Sequence, residues 1–264
     1  MQAGTYINRY EKDKTQDLLF ASEVGDLFKS HISSTDSLLD IGIGEMSVLS
    51  FIYENLLVKP KQIYALDISW SRIYKGLKFL KKIMGESHKK VSPFVADIAK
   101  IPLLNKSINV TMSTYALEPN GGNLKEILRE LFRVTKDKLL LCEPCYEINS
   151  EEGKQRMDKL GYIKNIDGVV GEIGGRVIEQ IKINNVFNPL NPSVCFVVLP
   201  PASSTKGEDN TGLPSIYSIP GTNHPLKYVD NFLFSDRLGY CFPILKSIPI
   251  LKADKSILAT ALEY

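Results

Sequence analysis

The sequence predicts a doubly wound α/β fold with a seven-stranded sheet, followed by a small β-rich module. Strand-like apolar runs alternate with helical apolar spacing, which is the order of a parallel sheet with crossover helices. Two later apolar runs predict a closing antiparallel hairpin. The predicted helices cover residues 15–32, 48–56, 71–84 and 123–134, and the predicted strands cover residues 37–41, 62–66, 93–96, 108–113, 139–141, 177–183 and 194–199.

A stretch rich in Pro, Ser, Gly and charged residues predicts a linker at residues 201–214. It separates a main domain, residues 1–200, from a module formed by residues 215–264. So small a unit is marginally stable by itself, and we expect it to lean on the main domain.

Composition limits the classes of function. Of the 264 residues, 44% are hydrophobic and 23% are charged, as in ordinary globular proteins. The net charge of +2 argues against a strongly electrostatic nucleic-acid binder. No apolar run approaches the ~20 residues of a membrane span, and the polar N-terminus has no signal-peptide core. The four cysteines are scattered, so we expect a reduced, cytoplasmic protein.

The segment that organises the chain runs from Ser37 to Glu45. A buried strand is predicted to end at Asp40, and Gly42 and Gly44 then alternate with isoleucine before a helix begins. Glycines at such a turn let the backbone approach a ligand closely. The dinucleotide fingerprint G-x-G-x-x-G would need a third glycine where Ser47 stands.

The segment resembles the first motif of the class I S-adenosylmethionine-dependent methyltransferases (methyltransferase type 11-like), whose third glycine falls on Met46. The resemblance implies a Rossmann-like methyltransferase fold, with Asp40, Gly42 and Gly44 at the cofactor.

Two further acids follow predicted strands. Ligands of open α/β sheets bind at the carboxyl ends of strands, and a carboxylate can accept both ribose hydroxyls. We therefore predict that Asp67 binds the ribose of S-adenosylmethionine, with Ile68 beside it. The resemblance implies that Asp97 accepts a hydrogen bond from the adenine amino group and that Ile98 packs on the ring. The K-I-P-L that ends at Leu103 also matches the family pattern.

The loop after the fourth strand lies beside the transferable methyl group in the family. The resemblance thus implies a cofactor contact for Thr114 and a catalytic place for Tyr115. Glu118 is a candidate general base or a site for a cationic substrate, and Asn120 could orient a polar group. A plain turn of Pro, Asn and Gly is an equally good interpretation.

The fifth strand is predicted to end in Cys142–Glu147, where the substrate pocket of the family opens. Glu143 is a second candidate base, and Tyr146 and Glu147 are candidates for substrate binding. Tyr162, which follows a predicted polar helix, could lie over the pocket. The C-x-x-C has no second cysteine pair, so we predict no metal site.

At the N-terminus, Tyr6 and Tyr10 are four residues apart and would share a helical face. Their helix either packs on the domain or covers the cofactor, in which case Tyr10 is a substrate-binding candidate.

Residues 221–251 resemble the small zinc-ribbon-like activator subunit of some tRNA, ribosomal and release-factor methyltransferases. The first cysteine of that ribbon would stand near Ile219, where this chain has none. The resemblance therefore implies an activator-like module without its zinc.

These features predict a methyltransferase that uses S-adenosylmethionine, O-methylating a small polar metabolite or a saccharide or surface-polysaccharide precursor. The expected partner is a small-molecule acceptor, without membrane or nucleic acid, and a homodimer is left open. One alternative is an RNA or protein methyltransferase with a fused activator module. The other is a non-catalytic scaffold, because Met46 in place of glycine could block the methionine site.

Overall fold

The computed structural model describes residues 3–202 and 215–259. Its seven-stranded sheet consists of β1 (Ser37–Ile41), β2 (Gln62–Asp67), β3 (Val91–Val95), β4 (Ile108–Thr114), β5 (Thr135–Pro144), β6 (Arg176–Ile183) and β7 (Ser193–Leu199). The strand order is β3-β2-β1-β4-β5-β7-β6. The first five strands are parallel, and β7 runs antiparallel between β5 and β6. This confirms the predicted doubly wound sheet with its closing hairpin.

Helices pack on both faces of the sheet. The first helix is α1 (Thr5–Lys12). One face of the sheet packs against the next three helices, α2 (Thr15–Phe28), α3 (Ser47–Asn55) and α4 (Trp70–Met84). The other face packs against α5 (Leu124–Val134) and α7 (Ile166–Glu172), and α6 (Glu151–Leu160) follows β5. In α5, Leu124, Ile127, Leu128 and Leu131 are buried at helical spacing, which explains its position on the sheet.

One connection of the sheet departs from the predicted alternation of strands and helices. Residues 96–107, between β3 and β4, form no helix. The sheet face that such a helix would cover is covered by residues 215–259, whose short antiparallel strands are β8 (Lys227–Val229), β9 (Phe232–Phe234), β10 (Tyr240–Leu245), β11 (Ile248–Pro249) and β12 (Ile257–Leu258). A parallel sheet needs cover on both faces. The C-terminal segment therefore completes the core.

The contacts between this segment and the sheet are specific. The ring of Tyr217 packs edge-on against Phe94, with centroids 5.5 Å apart, and against Tyr64, at 6.3 Å. The backbone N–H of Leu251 donates to the carbonyl of Val95 over 2.8 Å. Most of the predicted linker, residues 203–214, lies outside the described residues. Within the described part of the chain, no helix is long and apolar enough to cross a membrane.

Candidate functional site

A cavity of about 250 Å³ lies at the carboxyl ends of β1 and β4. These neighbouring strands have their crossovers on opposite sides, and such a switch point is where open α/β sheets bind ligands. Six of the residues predicted for the site line the cavity: Asp40, Gly42, Gly44, Thr114, Tyr115 and Glu118. The cavity is also lined by Tyr6, Arg9, Ile43, Glu45, Ser47, Val48, Leu49, Arg72, Phe187, Asn188 and Asn191.

The turn after β1 needs its glycines. Gly42 has φ 66° and Gly44 has φ 53°, both in the left-handed region. A Cβ on Gly42 would overlap the Cβ of Ala116 across the cavity floor. Met46 also has a positive φ, 59°, but its side chain is fully buried in the core beneath α2–α4. Met46 does not line the cavity and so does not block it.

Asp40 brings a carboxyl group with one unpaired oxygen to the cavity. The residue is only 2% exposed, and within the described residues its Oδ1 has no hydrogen-bond partner. Burial raises the pKa of Asp40 well above its ordinary value. Buried polar atoms normally have partners, so an orphaned oxygen beside a cavity fits a ligand that donates a hydrogen bond.

Asp67 lies beneath the glycine turn, outside the cavity lining. Its Oδ2 accepts from the N–H of Gly44 over 2.8 Å, and its Oδ1 accepts from the N–H of Ser69 over 2.8 Å. A guanidinium nitrogen of Arg72 stands 3.8 Å from Oδ2. Because Arg72 also lines the cavity, it lies at the boundary between the cavity and this carboxylate.

The residues predicted for the adenine, and Ile68 predicted beside the ribose, lie toward the outer surface. Ile68 is 59% exposed, and Ile98 is half-buried against the core. Asp97 is exposed, and its Oδ1 accepts from the N–H of Ala99 over 2.9 Å within its own loop. The predicted cofactor residues are thus divided between the cavity lining, the buried Asp67 beneath the turn, and an open surface.

The helix α1 forms one wall of the cavity. The carboxylate of Glu45 accepts from the N–H groups of Gly4 (2.6 Å) and Ile7 (2.9 Å) at the start of this helix. A carboxylate there is favourable, because the helix dipole and the free N–H groups both attract negative charge. The helix α1 therefore faces the cavity through Tyr6. The ring of Tyr10 packs in the core instead, with its centroid 4.8 Å from that of Phe51 and 5.2 Å from that of Phe79.

Arg9 lies between two aromatic walls of the cavity. Its guanidinium carbon is 5.4 Å from the ring centroid of Tyr6 and 4.6 Å from that of Phe187. The buried Asp17 pairs with it at 2.7 Å. Sequence reasoning missed Arg9, although its spacing of three from Tyr6 on a helix was a usable signal.

The loop between β6 and β7 contributes three more residues to the cavity lining, Phe187, Asn188 and Asn191. The sequence of this loop has no pattern that points to the site.

Two predicted catalytic side chains face the cavity. The hydroxyl of Tyr115 accepts from Ser193 over 3.0 Å, and burial raises its pKa. Glu118 is half-buried, and its Oε1 accepts from the hydroxyl of Tyr162 over 3.3 Å. Burial raises the pKa of Glu118, which brings this carboxylate closer to the range of an effective base near neutral pH.

Glu143 lies behind the loop and does not line the cavity. Its Oε1 accepts from the hydroxyl of Ser113, and it also accepts from the N–H groups of Ala116 and Leu117, both over 3.1 Å. Burial raises the pKa of Glu143 to about 8. In this arrangement the carboxyl group shapes the turn that carries Tyr115. The amide of Asn120 is also engaged in that turn, where it donates to the carbonyls of Ala116 (3.2 Å) and Leu117 (3.3 Å).

Tyr146 and Glu147 are not brought to the cavity. The hydroxyl of Tyr146 donates to Asp158 over 3.3 Å, and Lys164 lies 4.3 Å from its ring centroid. Glu147 is exposed and accepts from the N–H of Asn165, at the start of α7, over 2.7 Å. Residues 3–202 and 215–259 contain no group of three or more His, Cys, Asp or Glu side chains placed to hold a metal ion.

Solved structures similar to this chain show its fold. A chain from the Haloferax volcanii complex that contains the Trm112 methyltransferase activator matches with 13% identity and a TM-score of 0.58, covering 74% of this chain and 95% of that one. The magnesium protoporphyrin IX methyltransferase of Synechocystis, solved with S-adenosylhomocysteine, matches with 11% identity and a TM-score of 0.54, covering 75% and 89%. An S-adenosylmethionine-dependent methyltransferase of Aquifex aeolicus matches with 16% identity and a TM-score of 0.54, covering 75% and 100%.

No protein-family model and no curated protein sequence matches the chain. The structural likenesses establish the Rossmann-like fold of class I methyltransferases. Activity has to be argued from the site, because one fold hosts many functions.

Proposed function

We propose that this protein is an S-adenosylmethionine-dependent methyltransferase. The observation that carries the proposal is the orphaned carboxylate of Asp40 beside the Gly42–Gly44 turn, at the switch point of the sheet. An unpaired acceptor next to a close-approach backbone suits the ammonium end of an amino acid. The resemblance of this turn to the first methyltransferase motif and the fold of the neighbours point the same way.

The chain offers residues for each of the three parts of this cofactor: the methionine end, the ribose and the adenine. Asp40, Gly42, Gly44 and Thr114 would hold its methionine end. Asp67 would accept the ribose hydroxyls, since a carboxylate has about four acceptor sites and two are taken by backbone N–H groups. Asp97 and Ile98 would meet the adenine on the outer surface, with Ile68 beside the ribose. When bound, S-adenosylmethionine supplies a methyl group already activated by its sulfonium.

The protein itself would align the acceptor and remove its proton. Alignment of two bound reactants can supply much of the rate enhancement. Glu118 faces the cavity with a pKa that burial raises, so it is placed to accept a hydroxyl proton as the oxygen gains the methyl group. Tyr115 and Tyr162 lie beside it and would orient the acceptor.

The acceptor we favour is a small polar metabolite or a saccharide or polysaccharide precursor that is O-methylated. At about 250 Å³, the cavity lies just below the ~300–1,000 Å³ typical of small-ligand sites, which favours a small acceptor. Its rim carries the amides of Asn188 and Asn191 as well as the rings of Tyr6 and Phe187, a mixture of polar and aromatic contacts that suits a hydroxylated molecule.

A second candidate is an RNA or protein methyltransferase in which residues 215–259 replace an activator subunit. It is favoured by the way this segment completes one face of the sheet and by the neighbour that was solved with an activator. RNA binding that weakens steeply with salt would favour this candidate. Salt-independent turnover of a small acceptor would contradict it.

The proposal is tested by calorimetric titration of S-adenosylhomocysteine into the wild type and Asp67→Ala. We expect micromolar binding that the substitution weakens by about 2 kcal/mol, the scale of a lost hydrogen bond to a charged group. Asp26→Ala, at an exposed carboxylate on α2, is the control and should bind like the wild type. Failure of the folded wild type to bind at millimolar ligand would overturn the proposal and favour a scaffold.

A further inference from the structure

Arg72 occupies an unusual place between the cavity and the predicted ribose carboxylate. Its side chain is only 19% exposed, and its Nη1 lies 3.8 Å from Oδ2 of Asp67. A Cβ built on Gly44 would lie 3.0 Å from its Nη2, so the guanidinium rests directly on the glycine turn. The guanidinium carbon is also 4.9 Å from the ring centroid of Tyr6 in α1.

The acceptor capacity of Asp67 makes this position significant. Each of its oxygens already accepts one backbone N–H group, from Ser69 on Oδ1 and from Gly44 on Oδ2. About one acceptor site then remains on each oxygen, which is enough for one ribose hydroxyl apiece. The guanidinium of Arg72 competes for the remaining site on Oδ2.

The guanidinium is weakly held for a group so well buried. Its ion pair at 3.8 Å is longer than a hydrogen bond, and within the described residues its Nε has no hydrogen-bond partner. Buried polar atoms are usually paired. Such an arrangement is easily displaced by a ligand that offers Asp67 two well-aligned hydroxyl donors.

We propose that Arg72 is a resident counter-ion of Asp67 that the ribose of the bound nucleoside must displace, and that it thereby determines the affinity of the cofactor site. This inference rests on the proposed function. Arg72 neutralises Asp67 before the ligand binds and shields the carboxylate from the cavity. It moves off Oδ2 when the ribose hydroxyls bind, while the ring of Tyr6 remains available to its guanidinium.

The test is a binding cycle with S-adenosylhomocysteine as the probe. Calorimetry is carried out on the wild type, Arg72→Met, Asp67→Asn and the double variant. Methionine is an unbranched side chain that removes the charge and the guanidinium group that rests on Gly44. We expect Arg72→Met to bind roughly tenfold more tightly than the wild type, and to give no gain in the Asp67→Asn background, because a neutral amide at that position does not retain the guanidinium. Arg129→Met, at an exposed arginine on α5, is the matched control and should bind like the wild type.

Each other outcome is decisive. Unchanged or weaker binding by Arg72→Met, while the wild type binds, overturns the inference alone, and weaker binding would make Arg72 a direct ligand contact. An equal gain in both backgrounds means that Arg72 obstructs the ligand by its bulk, which overturns its role as a counter-ion. If neither the folded wild type nor any folded variant binds S-adenosylhomocysteine, the proposed function fails and the inference fails with it. Arg72→Gln replaces Arg72→Met in the cycle if the latter does not give a cooperative melt.

Discussion

At the scale of single residues, Glu118 in the loop after β4 and Glu143 in β5 are both predicted bases but face different surroundings. Glu118 faces the cavity and accepts one long hydrogen bond from a tyrosine. Glu143 is fully buried, and three donors converge on one of its oxygens. Of the two, only Glu118 lines the cavity, whereas Glu143 binds the backbone of the loop after β4.

Glu118→Gln should lower the methyl-transfer rate by about 10²-fold or more, the usual contribution of a general base. In the wild type the rate should rise with pH through a pKa above that of an ordinary glutamate, because burial raises the pKa of Glu118 and only the deprotonated form accepts the proton. Single-turnover rates across pH measure this limb, which the variant should lack. Glu151→Gln, on the exposed part of α6, is the control. A variant that keeps both rate and pH limb contradicts the assignment.

Glu143→Gln should change how stability depends on pH. The folded protein keeps the Glu143 proton up to about pH 8, whereas the unfolded chain loses it near 4.5. Between these values the unfolded state binds fewer protons, so wild-type stability falls as pH rises, by up to about 1.4 kcal/mol per pH unit for one group.

Urea unfolding at several pH values between 5 and 8 measures this slope. Glu143→Gln has no proton to lose and should give a flatter slope. Some slope should remain, because the pKa of Asp40 is raised as well. Parallel slopes for the wild type and the variant would mean that Glu143 is ionised in the folded protein.

At the scale of secondary structure, one side chain of the glycine turn binds the start of α1. Glu45 follows Gly44 directly and binds two N–H groups at the start of α1. The same turn therefore shapes the cavity floor and anchors one of its walls. We therefore expect a change in the turn to alter the position or stability of α1 through the hydrogen bonds of Glu45.

Glu45→Ala should loosen α1 and cost about 1–2 kcal/mol of folding stability, as for other lost helix caps. Hydrogen exchange by mass spectrometry should show faster exchange in residues 4–12, with the sheet unchanged. Glu11→Ala, at an exposed position on the same helix, should leave that exchange as it is. Equal protection in the wild type and Glu45→Ala would show that α1 is held by its apolar contacts instead.

At the scale of the whole molecule, the core depends on a distant part of the chain. One cluster of buried side chains runs from Leu39, Phe94 and Leu141 in the sheet to Leu226 and Phe242 in the C-terminal segment. The indole N–H of Trp70 donates to the carbonyl of Leu245 over 3.3 Å, at the junction of the two parts. A shared cluster of this kind favours unfolding as one unit.

Urea unfolding followed by Trp70 fluorescence and by far-ultraviolet circular dichroism should therefore give coincident transitions. Trp70 is the only tryptophan, so its signal reports the junction specifically. Phe242→Ala should lower the free energy of unfolding by about 3–5 kcal/mol, as for other buried phenylalanines, and should shift both transitions together. An early fluorescence transition would indicate that residues 215–259 detach first.

Local patterns were sufficient to predict the sheet and the cavity floor. A strand, a glycine turn and a helix are consecutive, so Asp40, Gly42 and Gly44 could be placed without knowing any distant contact. Thr114, Tyr115 and Glu118 were placed by the resemblance of the loop after the fourth strand to the methyltransferase family. Tyr10, Tyr146 and Glu147 were chosen by similar local reasoning and lie away from the cavity, because the orientation of each side chain depends on what packs around it.

The sequence alone determined where the seven strands of the sheet lie along the chain, and it led us to expect a ligand at their carboxyl ends, because both inferences depend on periodicity and on residue types at strand ends. Only the tertiary structure decided that Arg72 rests against Asp67, that Glu45 anchors α1, and that residues 215–259 replace the helix missing between β3 and β4. Each of these is a contact between elements, and the last two join segments far apart in the chain. Such contacts arise from how the elements pack, which no local pattern of residues specifies.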